Sequence, residues 1–274
     1  VRLFASGLRK LSRRLATWLT FGLLAGLLVL IMIAIGATAN APRSGGSDGA
    51  AGLALLTFPG AYDGIMSFML GLGGLFAVTY GAAIAGSEWT WGTLKNAVAR
   101  GESRSRYTLV SFASIAVVIA VGLAFTFVIG VIAALVGANL AGVSTAGLND
   151  AATLGRLPEQ FGRGWLAIVE EGALGFAIAT LARSQLAGIG AGLAFYFGGT
   201  FAGIFLPDIV KYLPFSVANA SVSTGASGGG GFGGGGGQQL AALDPNTAFV
   251  LVIAWLIGSL VVAAVFTERA EISG

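Results

Sequence analysis

Six long apolar runs limit what this sequence can fold into. They cover about residues 15–37, 65–85, 109–136, 165–181, 186–206 and 248–266. Crossing roughly 30 Å of hydrocarbon takes about 20 mainly apolar residues at 1.5 Å rise each. The third run is long enough to tilt or to protrude. The runs are continuous rather than alternating, which excludes a closed β-barrel. Composition points the same way. The chain of 274 residues is 55% hydrophobic and 10% charged, against about 25% charged in a soluble domain. Such a chain cannot cover a water-facing surface, so lipid must be the solvent for much of it. The expectation is an all-α integral membrane protein of six transmembrane helices, built as a single transmembrane domain over 1–274.

Basic residues orient the spans. Arg2, Arg9, Lys10, Arg13 and Arg14 precede the first. Lys95, Arg100, Arg104 and Arg106 lie between the second and third, Arg183 joins the fourth to the fifth, and Arg269 follows the sixth. Those eleven fall on one side. Arg43, Arg156, Arg163 and Lys211 fall on the other. The expectation is a multi-pass protein of the cell membrane with both termini cytoplasmic. Ala37-Thr38-Ala39 could pass as a signal-peptide cleavage site, but the apolar run before it exceeds the usual 7–15 residues or so. A retained first span is expected.

Residues 1–14 form an element of their own. Phe4, Leu8, Leu11 and Leu15 recur on one helical face, with Arg9, Lys10, Arg13 and Arg14 mostly elsewhere. This predicts an amphipathic helix lying on the cytoplasmic membrane surface; a simple topogenic basic tail is the alternative. Three outer loops are expected, at 40–63, 137–162 and 207–246. The last begins with a short amphipathic piece, 207–215, that could rest in the interface. It then runs into a glycine tract, 228–231 and 233–237 around Phe232. No strand, helix or Lys-Ser/Thr surrounds that tract in the manner of a phosphate loop, so it reads as a flexible linker.

Several chemistries drop out. The chain has no cysteine and no histidine, which removes disulfides, thiol and imidazole catalysis, and zinc sites of the Cys/His type. The formal charge of +3 is too small to suggest nucleic-acid binding. No G-x-x-x-x-G-K-[ST] occurs, so the chain does not itself hydrolyse ATP through a P-loop. No catalytic residue, cofactor or metal site is expected within it.

The most informative segment follows the second span: Gly86-Ser87-Glu88-Trp89-Thr90-Trp91-Gly92-Thr93-Leu94-Lys95-Asn96-Ala97-Val98-Ala99-Arg100-Gly101-Glu102-Ser103-Arg104-Ser105-Arg106. Gly92 can break the backbone, Thr93 can cap a short helix over 94–100, and Gly101 can end it. An aromatic base with a charged tip suits docking to a soluble partner. An interfacial aromatic belt before a positive-inside loop reads equally well.

The pattern Glu88-x-x-x-Gly92-Thr93-Leu94-Lys95, then Ser103-Arg104, resembles the second cytoplasmic segment of ABC-2 type permeases. There it reads roughly E-x-x-x-G-T-(L/I)-(K/R), followed by a P-x-S-R turn. Six spans, cytoplasmic termini, an amphipathic N-terminal helix and a long outer loop before the last span also match. The closing Phe266-Thr267-Glu268-Arg269-Ala270-Glu271-Ile272 resembles the family's ending. The likeness covers nearly the whole chain in layout and about twenty residues in motif. Gly101-Glu102 departs from it where many relatives carry proline, which leaves the turn geometry open.

The resemblance implies the membrane-spanning permease subunit of an ATP-binding-cassette transporter, working as an exporter by alternating access. Two permease chains, as a homodimer or with a related chain, would pair with two copies of an ABC ATPase subunit that binds ATP and Mg. The short helix would be the coupling helix seated in a groove of the ATPase. On that analogy Glu88, Trp91, Thr93, Leu94, Lys95 and Arg100 lie at or beside the contact. A secondary transporter or channel working without ATP is the alternative; a membrane assembly or anchoring factor is a third reading.

Two further features stand out. Glu170-Glu171 lie within the fourth run, where an ionisable group is costly unless paired, protonated or wetted. Either one lines a transport path or pairs with Arg163 or Arg183, or the span starts later and the pair sits at the outer interface. Gly188, Gly192, Gly199 and Gly203 make a small-residue stripe on the fifth span. Such a stripe suits close helix packing, within the chain or at a homodimer seam.

Overall fold

The computed structural model describes residues 2–39, 52–222 and 243–270. Those residues are helical, with no strand among them. Helix α1 is Arg2–Ser12, α2 is Leu15–Thr38, α3 is Gly60–Thr90 with a π-helical turn at Met69–Gly73, and α4 is Thr93–Ala99. Helix α5 is Arg104–Ala141, α6 is Ala151–Ala182 and α7 is Gln185–Phe205. Two short helices, α8 (Pro207–Val210) and α9 (Pro214–Ser221), precede α10 (Pro245–Arg269). Six of these, α2, α3, α5, α6, α7 and α10, are long and apolar enough to cross a membrane. The chain is an all-α, multi-pass membrane protein.

Helices α3 and α6 are buried along most of their length, and the other four long helices surround them. Their closeness has a steric cause. A Cβ at Gly81 would collide with the Gly172 carbonyl, and one at Gly175 with that of Val78. Without lipid-against-water hydrophobic force between spans, such backbone approach supplies the packing. The surrounding helices bury one stripe and turn Trp18, Leu30, Val121, Phe125, Phe201, Val250 and Ile257 outward, as lipid requires.

Local chemistry sets the boundaries. Asp150 caps α6, accepting from the Thr153 N–H at 2.9 Å, and Asp244 caps α10 through Asn246 and Thr247. Pro207, Pro214 and Pro245 open their helices at the first turn, where a missing N–H costs nothing. The spans run longer than their apolar cores. Helix α5 reaches from Arg104 to Ala141, and α6 starts at Ala151 rather than near 165. The expected outer loop at 137–162 therefore shrinks to 142–150, which includes a 3-10 turn, Ala146–Asn149. Pro158 sits inside α6 without ending it.

The loop before the last span also differs from expectation. Its 214–221 portion is a helix that buries Phe215, Val217 and Ala218 against α10 and α6, so it is folded into the bundle. The glycine tract at 228–237 lies outside the described residues.

Candidate functional site

One end of the bundle gathers the N-terminal helix, the end of α3, all of α4, the start of α5, the α6–α7 junction and the end of α10. Its centre is Glu88, in the last turn of α3. This side chain is 7% exposed, yet fully engaged. Lys10 of α1 ion-pairs with Oε1, and Thr93 of α4 donates to Oε2. The Tyr107 hydroxyl of α5 donates to Oε2 at 2.5 Å. One carboxylate thus ties four helices together through charge-assisted bonds, which are about twice as strong as neutral ones.

Arg14 reinforces the junction between α1 and α2. Its Nη1 donates to Ser87 Oγ at 3.1 Å, and its guanidinium stands 5.0 Å from the Trp91 ring. Thr17 shares a 2.8 Å hydrogen bond with Tyr80 and donates to the Leu11 carbonyl. Helix α1 therefore does more than lie on a surface. Leu11 is buried, Gly7 approaches Ser114 of α5, and Lys10 turns inward while Arg9 and Arg13 stay exposed.

Helix α4 stands on a glycine hinge. Gly92 has φ +64°, which lets the chain turn out of α3 without a Cβ penalty. Gly101 at φ +87° ends α4, its N–H donating to the Val98 carbonyl at 2.9 Å. Thr93 is the first residue of α4, and its hydroxyl goes to Glu88 instead of capping the helix. Leu94 and Ala97 point inward, whereas Trp91, Lys95 and Arg100 are exposed. Among the residues expected at a partner contact, Glu88 and Leu94 are therefore internal supports, and the outward face belongs to Trp91, Lys95 and Arg100.

The C-terminal end of α10 docks beside this cluster. Arg104 donates to the Ala270 carbonyl at 2.5 Å, and the Glu268 carboxylate accepts from the Ser105 N–H at 3.1 Å, capping α5. Arg183, at φ 51°, lies 5.3 Å from both the Trp89 and Phe266 rings. Glu271 and Ile272 of the closing motif lie outside the described residues.

Glu170 and Glu171 lie well inside α6 and are 0% and 1% exposed. The span does not start late enough to put them at an outer interface. Pairing with the nearby arginines is also excluded. Arg163 is committed to Glu159, Asn246 and the Phe249 ring, and Arg183 to its two rings. In the glycine stripe, Gly188 packs on Ala179 of α6 and Gly192 on Val78 of α3. Gly203 is buried, and a Cβ at Gly199 would meet open space. The first two positions serve packing within the chain.

A family model matches residues 29–267, which is most of the chain. The chain belongs to the family described as Protein of unknown function (DUF2705). The family match includes Glu88, Thr93, Tyr107, Glu170 and Glu171, and leaves Lys10 and Arg14 outside it. No curated protein matches the chain.

Sequence reasoning missed Lys10, Arg14 and Tyr107 as members of this site. Lys10 and Glu88 are 78 residues apart, and no local spacing links them. The usable signal was the excess of polar groups around Glu88 at a place where a span should end.

Proposed function

We propose that the chain is the permease subunit of an ABC-2 type ATP-binding-cassette exporter in a cell membrane, driven by a separate ATPase that binds ATP and Mg. The observation that carries this reading is the Glu88 junction. It fastens a short exposed helix, α4, to α1, α3 and α5 at one end of the bundle. A push on α4 reaches α3, one of the two buried central helices, without passing through a flexible linker. The concentration of basic residues at that end supports a cytoplasmic position for it.

In this reading Trp91, Lys95 and Arg100 touch the ATPase, and Glu88, Thr93 and Leu94 hold the lever they stand on. ATP-driven closure of two ATPase subunits would press two copies of α4 and tilt α3 against α6 in each permease chain. The test is purification of the tagged chain from its native membranes together with any separate ATPase that it binds. Complex formation and stimulated ATP hydrolysis are expected, with both reduced by Trp91→Ala combined with Lys95→Glu. Recovery of the chain without any ATPase, or a complex indifferent to those substitutions, counts against the proposal.

A secondary transporter is the second reading, and the buried Glu170-Glu171 pair favours it, since intramembrane acids commonly mark ion pathways. Transport by reconstituted chain alone, driven by an ion gradient without ATPase, would select it.

A further inference from the structure

Three carboxylate oxygens of the acidic pair, both of Glu170 and Oε2 of Glu171, are buried without a hydrogen-bond partner. The packed elements explain why. The π-helical turn, α9, and α10 ahead of Glu268 carry no titratable group. Helix α5 beyond Tyr107 has none, and α7 has only Tyr196. On α3, Asp63 lies in the first turn and Glu88 at the opposite end, engaged with Lys10; between them stands only Tyr80, bonded to Thr17. Along α6, Arg163 precedes Glu170 by about 10 Å and Arg183 follows Glu171 by about 18 Å. Both arginines are engaged elsewhere. No base reaches the pair, and a bare carboxylate in such a place is strongly unfavourable.

The surroundings also constrain what could neutralise it. Glu171 presses on the α3 backbone: a Cβ at Gly74 would collide with its Oε2 and Cδ. Gly74 is where the π-helical turn Met69–Gly73 gives way to α-helix, and π-turns cluster at functional sites. Tyr196 braces the same turn, donating to the Gly71 carbonyl at 2.7 Å. With both acids sealed from solvent, the occupant that fits without moving atoms is a proton.

We propose that Glu170 and Glu171 form a proton-binding site in the middle of the bundle, closed by Gly74 and the π-helical turn of α3. In the packed conformation each carboxyl keeps its proton. When α6 separates from the Gly74 segment, water enters, the carboxyl O–H bond breaks, the proton passes to water and the electron pair stays on the carboxylate. Closing reverses the step. Movement of α3 against α6 is thereby linked to proton release and uptake. The proposal concerns this chain alone and holds under either transport reading.

The test uses the purified full chain in lipid nanodiscs, with infrared spectroscopy at a pH where exposed carboxyls are ionised. The wild type should show a neutral-carboxyl C=O band that shifts slowly in D2O. Glu170→Gln and Glu171→Gln should each remove part of the band, and the double variant should lack it. Glutamine keeps the shape of a neutral glutamic acid, so melting temperatures should stay near wild type. Absence of the band in the wild type overturns the proposal whether or not the variants fold. So does a band that survives the double substitution. Stabilisation by sodium or potassium that vanishes in the double variant also overturns it, because a metal ion would then occupy the site.

Discussion

The Lys10 ammonium of α1 closes an ion pair on the Glu88 carboxylate at the end of α3, so the N-terminal helix is fastened to a central one. Glu88 is nearly buried there, while the Lys10 side chain is about one-third exposed, at 35%. That asymmetry lets water screen part of the attraction. A double-mutant cycle with Lys10→Met and Glu88→Gln should give a coupling of about 1–2 kcal/mol, read from thermal unfolding in detergent. Additive effects would mean that the pair holds nothing together. Glu88→Gln should cost more than Lys10→Met, since Thr93 and Tyr107 also donate to Glu88.

Trp91 and Leu94 should separate into different phenotypes. Leu94 is buried between α4 and the bundle, and Leu94→Ala should destabilise the chain by about 2–4 kcal/mol. Trp91 is 63% exposed, and its ring stands 5.0 Å from the Arg14 guanidinium. Trp91→Ala should cost about 0.5–1 kcal/mol or less in stability, while weakening the proposed complex with an ATPase. An unchanged complex yield and unchanged ATPase stimulation would remove the exposed face of α4 from the proposed contact.

Topology can be read by cysteine labelling, because the chain has no native cysteine. Ser47→Cys and Ser227→Cys, both outside the described residues, should react with an impermeant reagent added outside intact cells. Ser103→Cys, between α4 and α5, should not. Outside labelling of the Ser103 position would invert the orientation and move the proposed ATPase contact to the wrong face.

Gly74 offers a steric test of the acidic pair's placement. Gly74→Ala should destabilise the chain by about 1–3 kcal/mol, the usual range for overpacking, because the new methyl meets the Glu171 carboxyl. In a Glu171→Ala background the same change should cost clearly less. Equal cost in both backgrounds would show that the carboxyl does not fill that space.

Much of the fold was legible because apolar length is a local property. The six runs appear in order, and Gly92 and Gly101 both take the positive-φ conformations that break α3 and end α4. Helix lengths were less legible. The polar first half of α6, with Arg156, Glu159 and Arg163, looks like a loop to any hydropathy measure. It is helical because Asp150 caps it and Arg163 bonds Glu159 and Asn246. Helix α9 was hidden for a related reason: its eight residues become stable only when Phe215 and Val217 bury against the bundle.

The sequence by itself determined that this chain lives in lipid, how many long helices it can send across, and where the backbone must bend. Those follow from side-chain transfer energy and from glycine's conformational freedom, which act residue by residue. Only the tertiary structure decided which polar groups meet. Glu88 found Lys10 and Tyr107 on other helices, while Glu170 and Glu171, equally acidic, found no base. The local sequence shows polar neighbours around Glu88 and apolar ones around the pair, but not which groups from other helices reach them. The difference lies in where along the bundle each carboxylate stands: the basic residues of α1 lie beside Glu88, and the pair in α6 sits between Arg163 and Arg183, both engaged elsewhere.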